Sequence, residues 1–160
     1  MQRGAGRAAA AAGQLCRTPQ AAPGHRDPGA GRRKLLRRGA LRELLLQDCC
    51  DAVTLYPGKQ GGIAKARRLA AIAADAGVPC TIGSNLEWDI GAAAMMQFVV
   101  ATPNVQIEQI PGDCLGPSYH AFSIVRDPLK IEGAFTTLRP EPGLGVEVDW
   151  DQVERHRIRG

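Results

Sequence analysis

Short β-prone runs alternate with helical patterns in the middle of the chain, and this alternation constrains the fold more than any other feature of the sequence. The run 51–56 precedes a helical pattern over 63–76, and the run 80–84 precedes one over 88–100. A third short strand is predicted over 105–108. Strands separated by helices of this length form parallel sheets, which are either open or closed into a barrel. The sequence therefore predicts an α/β fold.

The number of these units limits how much of a barrel the chain can form. A complete (β/α) barrel has eight strands and takes about 250 residues, whereas this chain has 160 residues. After residue 108 the pattern changes to loops and extended segments, with strands predicted over 122–125 and 129–131 and a final helix capped by Asp149. We therefore predict only a part of a TIM (β/α) barrel.

Basic residues are concentrated in the first 40 residues, which are called the arm below. The arm holds nine of the 20 Lys and Arg residues but one of the 16 acidic residues, which leaves 11 basic and 15 acidic residues in 41–160. Its Ala, Gly, Pro and Arg residues offer too little apolar surface to offset the entropy of ordering. We predict a disordered basic arm over 1–40 and a partial barrel domain over 41–160, with no domain that binds a specific nucleic acid.

Several roles are open for the arm. A mitochondrial transit peptide would also be rich in Arg, but the Pro and Gly residues over 19–31 interrupt an amphipathic helix. The cluster 32–38 would attract nucleic acids or other anionic surfaces without sequence preference. The last few residues of the arm could lead into the first helix. A segment without a selected function is the interpretation we favour.

The cysteines and the hydropathy pattern indicate the compartment. The five cysteines are odd in number and form neither a CxxC motif nor a Cys/His spacing typical of zinc sites. No apolar run reaches the roughly 18 residues of a membrane span, and no secretory signal is recognisable. We expect a cytoplasmic protein that has no membrane contact and no metal ligands of its own.

Four segments occur together and in order, and they carry a resemblance. They are DAVTLYPGKQGGIAKARRLAAIA (51–73), GSNLEWDIGAAAMM (83–96), NVQIE (104–108) and PGLGVEVD (142–149). With these segments the chain resembles the C-terminal part of the enolase superfamily, in the branch of mandelate racemase and muconate lactonizing enzyme. The resemblance implies that the three strands are the sixth, seventh and eighth of a TIM barrel. It also implies a C-terminal segment that returns toward the capping domain of that family.

The resemblance further implies a chemistry that this chain cannot supply alone. Family members hold Mg²⁺ with three carboxylates at the ends of strands three to five, and the metal stabilises an enediolate formed from a carboxylate substrate. Those strands and the lysine base of the second strand have no counterpart among the 160 residues. Mg²⁺ is therefore a cofactor of the parent family only, and we assign no cofactor to this chain.

Five residues at the predicted strand ends are candidates for the site. The family usually has a lysine base, or an aspartate that orients a histidine, where this chain has Tyr56; a tyrosine could donate a proton, or it could be a packed ring. Asn85 stands where racemases have a histidine, and it is a candidate for substrate binding. Glu87 and Glu108 match glutamates of the family and are, with Tyr56, the candidates for catalysis, although a carboxylate at Glu87 would equally stabilise a helix N-terminus. Lys59 could bind an anionic substrate or be solvated.

Three functional hypotheses follow. The chain is first interpreted as a fragment of a Mg²⁺-dependent lyase or isomerase, a dehydratase or racemase-like enzyme for a sugar acid or hydroxy acid, that is inactive alone. A second hypothesis is a non-catalytic protein that oligomerises, aggregates or binds a partner through exposed barrel edges. A third is a protein that binds anions or nucleic acid through the arm. The small carboxylate is expected as the substrate of the parent enzyme.

Overall fold

The structure is a computed structural model that describes residues 10–11, 38–47 and 50–158. The chain divides into two compact units, each described by itself. The first comprises Met1–Gly83 and Thr102–Gly112, and the second comprises Ser84–Ala101 and Asp113–Gly160. The elements of the first unit are β1 (Ala10–Ala11), α1 (Arg38–Leu46), β2 (Val53–Leu55), α2 (Ile63–Asp75) and β3 (Cys80–Ile82). Those of the second unit are α3 (Asp89–Val100), a 3₁₀ helix (Gly116–Tyr119), β4 (Ile131–Glu132), β5 (Phe135–Thr136) and α4 (Trp150–Arg155).

The first unit is built on a parallel sheet in the order β1, β2, β3. Val53 pairs with Cys80 and Leu55 with Ile82, and all four of these side chains are buried. Strands of a parallel sheet are commonly covered on both faces and are rich in apolar residues, as β2 and β3 are. The α/β fold predicted from the alternation of strands and helices is confirmed.

The predicted strand 105–108 is wrong beyond its first residue. Val105 forms a parallel bridge with Cys80, and the amide of Gln106 donates to the Cys80 carbonyl over 2.8 Å. The chain then turns, because the carbonyl of Gln106 accepts the amides of both Gln109 (3.2 Å) and Ile110 (2.9 Å). Glu108 thus lies in a turn, because these local hydrogen bonds replace the ladder of a strand.

Helix α2 covers the sheet with small side chains. Its buried residues are Ala66, Leu69, Ala70 and Ala73, which recur at helical spacing as the sequence predicts. The helix ends one residue before the predicted Ala76. Gly77 has φ +70°, a left-handed conformation that glycine adopts without steric cost at a helix C-terminus.

Asn104 connects three parts of the first unit. Its Nδ2 atom donates to the carbonyl of Ala70 (3.2 Å) in α2 and to the carbonyl of Val78 (3.1 Å) in the following loop. The same atom lies 3.5 Å from the Sγ atom of Cys80. One side-chain amide thus links a carbonyl within α2 to a carbonyl of the loop that follows the helix.

The second unit is built around the apolar helix α3. Ala92 and Ala93 form a buried cluster with Leu129, against which three partly buried side chains pack. Of the predicted strand 122–125 only an antiparallel bridge between Val125 and Val148 is present. The predicted strand 129–131 is likewise shifted, since β4 and β5 form an antiparallel hairpin further along the chain. The predicted cap of α4 is confirmed, as the Asp149 carboxylate accepts the amides of Asp151 and Gln152 at 3.1 Å.

Two elements include residues of the arm. Ala10 and Ala11 form β1, which pairs in parallel with β2, and α1 begins at Arg38, so the last residues of the arm lead into the first helix, which is one of the alternatives given above. The predictions of disorder and of anionic partners concern residues of the arm that lie outside the described ones. Within residues 10–11, 38–47 and 50–158, no helix is long and apolar enough to cross a membrane.

Candidate functional site

Tyr56 follows directly on β2, at the carboxyl end where α/β proteins bind ligands. Its ring lies over the α carbon of Gly83, the residue that follows β3: a Cβ atom added at Gly83 would lie 2.7 Å from the Tyr56 hydroxyl oxygen. Gly83 is buried and Tyr56 is half-buried. A glycine at the end of β3 is therefore what lets the Tyr56 ring pack across the strand ends.

Lys59 lies close to this ring. Its Nζ atom is 4.2 Å from the centroid of the Tyr56 ring, a cation–π geometry. The Lys59 side chain is exposed, so the ammonium keeps access to solvent and to an anion. Tyr56 and Lys59, which the sequence predicts for catalysis and substrate binding, are thus brought together at the end of β2.

Gln60 is a residue that the sequence analysis missed. It is 4% exposed, and neither its Nε2 nor its Oε1 atom has a hydrogen-bond partner among the residues that the structure describes. A buried amide without partners costs about 1–3 kcal/mol per group. No sequence signal distinguishes it from a solvated glutamine, because the surrounding PGKQGG segment is typical of an exposed turn.

Glu87 is held by a network within its own loop. Its carboxylate accepts hydrogen bonds from the Ser84 hydroxyl (2.8 Å), the Asn85 backbone amide (2.7 Å) and the Asn85 side-chain amide (2.9 Å). Burial by itself raises the pKa of Glu87, but the hydrogen bonds from Asn85 and Ser84 outweigh it and lower the pKa below its usual value. The structure therefore makes Glu87 an ionised carboxylate that organises a loop.

The loop around Glu87 is closely packed and locally strained. Leu86 has φ +61°, a left-handed conformation that costs a non-glycine residue roughly 1–2 kcal/mol. The amide of Leu86 donates to Ser84 Oγ (2.8 Å), and its carbonyl lies 2.9 Å from His120 Nε2. Gly116 packs so tightly that an added Cβ would lie 2.6 Å from the Glu87 nitrogen. Asn85 is exposed, but its side-chain amide is committed to Glu87.

A stack of aromatic and imidazole rings continues from this loop. The rings of Trp88 and His120 are parallel, with centroids 4.1 Å apart, and those of Phe122 and His156 are parallel at 3.6 Å. Trp88 and Phe122 are in tilted contact at 4.7 Å. No spacing pattern in the sequence indicates this stack, since the paired rings are separated by more than 30 residues along the chain.

Glu108, the third predicted catalytic residue, is exposed in the turn after Val105. The structure shows no hydrogen bond or ion pair of its side chain with any described residue, unlike Glu87. The carboxylate is therefore available to a ligand.

The described residues do not fit a magnesium ion. Magnesium prefers several oxygen ligands in octahedral arrangement. Among the described residues, 10–11, 38–47 and 50–158, no three His, Cys, Asp or Glu side chains lie close enough together to hold a metal ion. The carboxylate of Glu87 already accepts three hydrogen bonds. No step of a reaction is therefore derived from a metal held by these residues.

The chain has parallel strands joined by helices, and polar side chains follow the strand ends. These features are typical of the class of α/β proteins to which barrel enzymes belong. Residues 28–152 match the family described as enolase C-terminal domain-like. The chain belongs to this family, as the C-terminal part of an enolase superfamily protein of the mandelate racemase and muconate lactonizing enzyme branch.

Relatives and solved structures agree with this assignment. The chain is 33% identical over 117 residues to a chloromuconate cycloisomerase of Pseudomonas putida, covering 73% of this chain and 30% of the relative. It is 30% identical over 112 residues to muconate cycloisomerase 1 of Rhodococcus opacus, covering 70% of this chain and 29% of the relative. It superposes on a muconate lactonizing enzyme from Klebsiella pneumoniae with a TM-score of 0.69 and 28% identity, covering 76% of this chain and 33% of that structure. The chain thus spans about 30% of the length of the curated relatives it matches.

Proposed function

We propose that this chain forms the last strands of a TIM barrel in a Mg²⁺-dependent lyase or isomerase that acts on a small carboxylate, and that it does not catalyse the reaction alone. The observation that carries the proposal is the family match over residues 28–152, combined with a coverage of about 30% of each relative. In a barrel of this type the strand ends from all parts of the sequence contribute to one site. The metal ligands would then come from outside the described residues.

Within the proposed site, three side chains remain available for a substrate. The Tyr56 hydroxyl can donate a hydrogen bond to an oxyanion or a proton to carbon. The Lys59 ammonium attracts an anion, and its contact with the Tyr56 ring restricts its position. The exposed carboxylate of Glu108 can accept a hydrogen bond from a hydroxyl or ammonium group of the substrate. Mg²⁺ would supply electrophilic stabilisation of the enediolate when bound elsewhere in the assembled protein.

Asn85 and Glu87 have a different role in this proposal. Their side chains bond to each other, so both are positioning residues that fix the loop after β3. A general base needs a free lone pair near the substrate. The Glu87 carboxylate already accepts three hydrogen bonds, so it is poorly suited to take a proton from the substrate. The residues proposed to contact the substrate are therefore Tyr56, Lys59 and Glu108. The candidate reactions are a dehydratase or racemase-like reaction on a hydroxy acid or sugar acid, and a cycloisomerase reaction on muconate.

A complementation experiment tests the proposal. The full chain is produced together with the Pseudomonas putida chloromuconate cycloisomerase from which the matched C-terminal segment has been deleted. Exchange of the α-proton of hydroxy acids and sugar acids with D₂O, and conversion of muconate to its lactone, are followed by NMR with Mg²⁺ or with EDTA. We expect Mg²⁺-dependent exchange or lactone formation only when both parts are present, and neither reaction with either part alone.

Matched variants assign the exchange to the proposed residues. Tyr56→Phe and Glu108→Gln should each lower the rate about 10²-fold or more, whereas Tyr119→Phe and Glu132→Gln, which change the same residue types at exposed positions, should leave it unchanged. A stable complex of the two parts without Mg²⁺-dependent exchange would contradict the proposal. Exchange by the chain alone would contradict the proposal that this chain does not catalyse the reaction by itself.

A further inference from the structure

The loop 84–87 has an unfavourable backbone conformation at Leu86. Leu86 has φ +61°, a region that glycine adopts freely and that a residue with a side chain enters only at an energetic cost. The hydrogen bonds of the Glu87 carboxylate span this residue, because their donors are the Ser84 hydroxyl and the two amide groups of Asn85. If Leu86 relaxed to another conformation, Glu87 would turn away from these donors. The network therefore depends on what holds Leu86 in place.

Two hydrogen bonds hold the peptide groups on either side of Leu86. Its amide donates to Ser84 Oγ over 2.8 Å, and its carbonyl oxygen lies 2.9 Å from Nε2 of His120. The first bond lies within the loop, and Ser84 also donates to Glu87. The second comes from a residue 34 positions further along the chain. His120 thus holds the loop from outside.

The contact with Leu86 determines which nitrogen of His120 carries a hydrogen. A carbonyl oxygen only accepts, so Nε2 must be the donor, and the lone pair of the neutral ring is then on Nδ1. The plane of the ring is fixed as well, because it stacks on Trp88 with the centroids 4.1 Å apart and an angle of 16° between the planes. The imidazole is therefore positioned by one edge and one face.

The segment that carries His120 also packs against the loop through its main chain. Gly116 is buried, and an added Cβ atom there would lie 2.6 Å from the Glu87 nitrogen. The 3₁₀ helix Gly116–Tyr119 connects this contact to His120, whose amide donates to the Pro117 carbonyl over 3.3 Å. The spacing between the Gly116 contact and the His120 contact is thus set by one turn of regular backbone.

We propose that His120 is a positioning residue of the candidate site: by holding the Leu86 carbonyl it keeps Asn85 and Glu87 hydrogen-bonded to each other, and so withholds both side chains from a substrate. The inference deepens the proposed function and rests on it only for the presence of a substrate, because the positioning concerns contacts within this chain. The polar side chains left for a substrate are then those of Tyr56, Lys59 and Glu108.

The pKa of Glu87 reports whether the network is intact. Burial by itself raises this pKa, and the hydrogen bonds from Asn85 and Ser84 lower it. Among the described residues no cationic side chain forms an ion pair with Glu87. The other ionisable groups of the segment that packs on the loop are Asp113, Cys114 and His120. Burial, followed by the charges of Glu87 and Asp113, raises the pKa of Cys114 to about 12, so the thiol is uncharged near neutral pH.

Titration of the Glu87 carboxyl group by NMR on the full chain tests the proposal. His120→Phe keeps a ring against Trp88 but removes the donor, so the pKa of Glu87 should rise toward its usual value of 4.5. His120→Gln places an amide donor near the position of Nε2 and should keep the pKa lowered. His156→Phe is the matched control, because His156 also stacks on a ring and lies 3.0 Å from a carbonyl, that of Gln152. It should leave Glu87 unchanged.

The variant Leu86→Gly separates an effect through Leu86 from a general effect on folding. Glycine enters the left-handed region freely, so in this background His120→Phe should no longer raise the pKa of Glu87. Equal rises in both backgrounds, or no rise in His120→Phe alone, would overturn the proposal. So would a rise in His120→Gln or in His156→Phe as large as that in His120→Phe.

A measurement on the unmodified chain does not depend on whether a variant folds. The ¹⁵N chemical shifts of the His120 ring, recorded at a pH where histidine is neutral, should show the hydrogen on Nε2 and the lone pair on Nδ1. The opposite tautomer would overturn the proposal. All of these titrations are made on this chain without a substrate or a second polypeptide, so a failure here is distinguishable from a failure of the complementation experiment.

Discussion

The ring of Tyr56 occupies the space that a side chain at Gly83 would need. An added Cβ would lie 2.7 Å from the Tyr56 hydroxyl oxygen and close to the ring carbons as well, so Gly83→Ala must displace the ring. We expect this substitution to lower the free energy of unfolding by about 1–3 kcal/mol, measured by urea denaturation. The penalty should shrink when Tyr56 is replaced by Ala as well.

A glycine in open space provides the control for this substitution. Gly39 lies in α1 and has no atom within 4 Å of an added Cβ. Gly39→Ala should therefore leave stability unchanged or raise it by up to about 1 kcal/mol through helix propensity. Equal losses for Gly83→Ala and Gly39→Ala would show that Tyr56 does not pack on Gly83.

The lowered pKa of Glu87 makes part of the stability depend on pH. A carboxyl group whose pKa is lower in the folded than in the unfolded chain contributes stability above its unfolded pKa and loses it as the pH falls through its folded pKa. The usual value is 4.5, so the loss lies in the acid range below it. Urea denaturation between about pH 3 and 7 should show a smaller acid-induced loss in Glu87→Gln than in the unmodified chain.

Glu108→Gln is the matched control for this pH dependence, because the Glu108 side chain has no partner among the described residues. Its acid-induced loss of stability should equal that of the unmodified chain. If Glu87→Gln keeps the full acid dependence, the hydrogen bonds from Ser84 and Asn85 do not stabilise the ionised carboxylate in solution.

Cys80 and Cys114 should resist alkylation in the folded chain. Burial, as the largest cause, raises the pKa of each thiol from 9.0 to about 12, which lowers the reactive thiolate fraction roughly a thousandfold near pH 8. Mass spectrometry after brief iodoacetamide treatment should find both residues unmodified. In urea both should react at the rate of an ordinary thiol, and rapid labelling without urea would contradict the structure.

Loss of the Asn104 side chain should destabilise the first unit. Asn104→Ala leaves the carbonyls of Ala70 and Val78 without this donor, at a cost of about 1–3 kcal/mol in the free energy of unfolding. Asn85→Ala removes an amide of the same type from an exposed loop and should cost less. Thermal and urea denaturation of both variants give the comparison, and equal losses would argue against the structural role of Asn104.

The elements that rest on periodic patterns could be predicted from the sequence. The spacing of Ala66, Leu69, Ala70 and Ala73 identifies the buried face of α2, and Gly77 marks its end, because backbone conformation and local burial determine both. Asp149 is recognised as a cap for the same reason, since its hydrogen bonds are to amides two and three residues away.

Features that depend on contacts across the chain could not be predicted. The turn at Glu108 follows from two amides sharing the Gln106 carbonyl, and an apolar alternation such as that of 105–108 does not report such bonds. For Glu87 the sequence left a catalytic and a structural interpretation open, and the hydrogen bonds from Ser84 and Asn85 favour the structural one. The stacking of Trp88 on His120 depends on the course of the intervening chain.

The hydrogen bonds of Asn104 also bear on how this part of the sequence can change length. One amide nitrogen reaches a carbonyl in α2, a carbonyl in the connection and the first residue of β3. In the connection from Ala76 to Pro79, Ala76 and Gly77 are exposed and the other two residues are half-buried, and surface connections usually tolerate insertions. Here an inserted residue would move Val78 away from Asn104 while Ala70 stayed in place, and one of the two hydrogen bonds would be lost. This surface loop should therefore accept substitutions far more readily than a change in its number of residues.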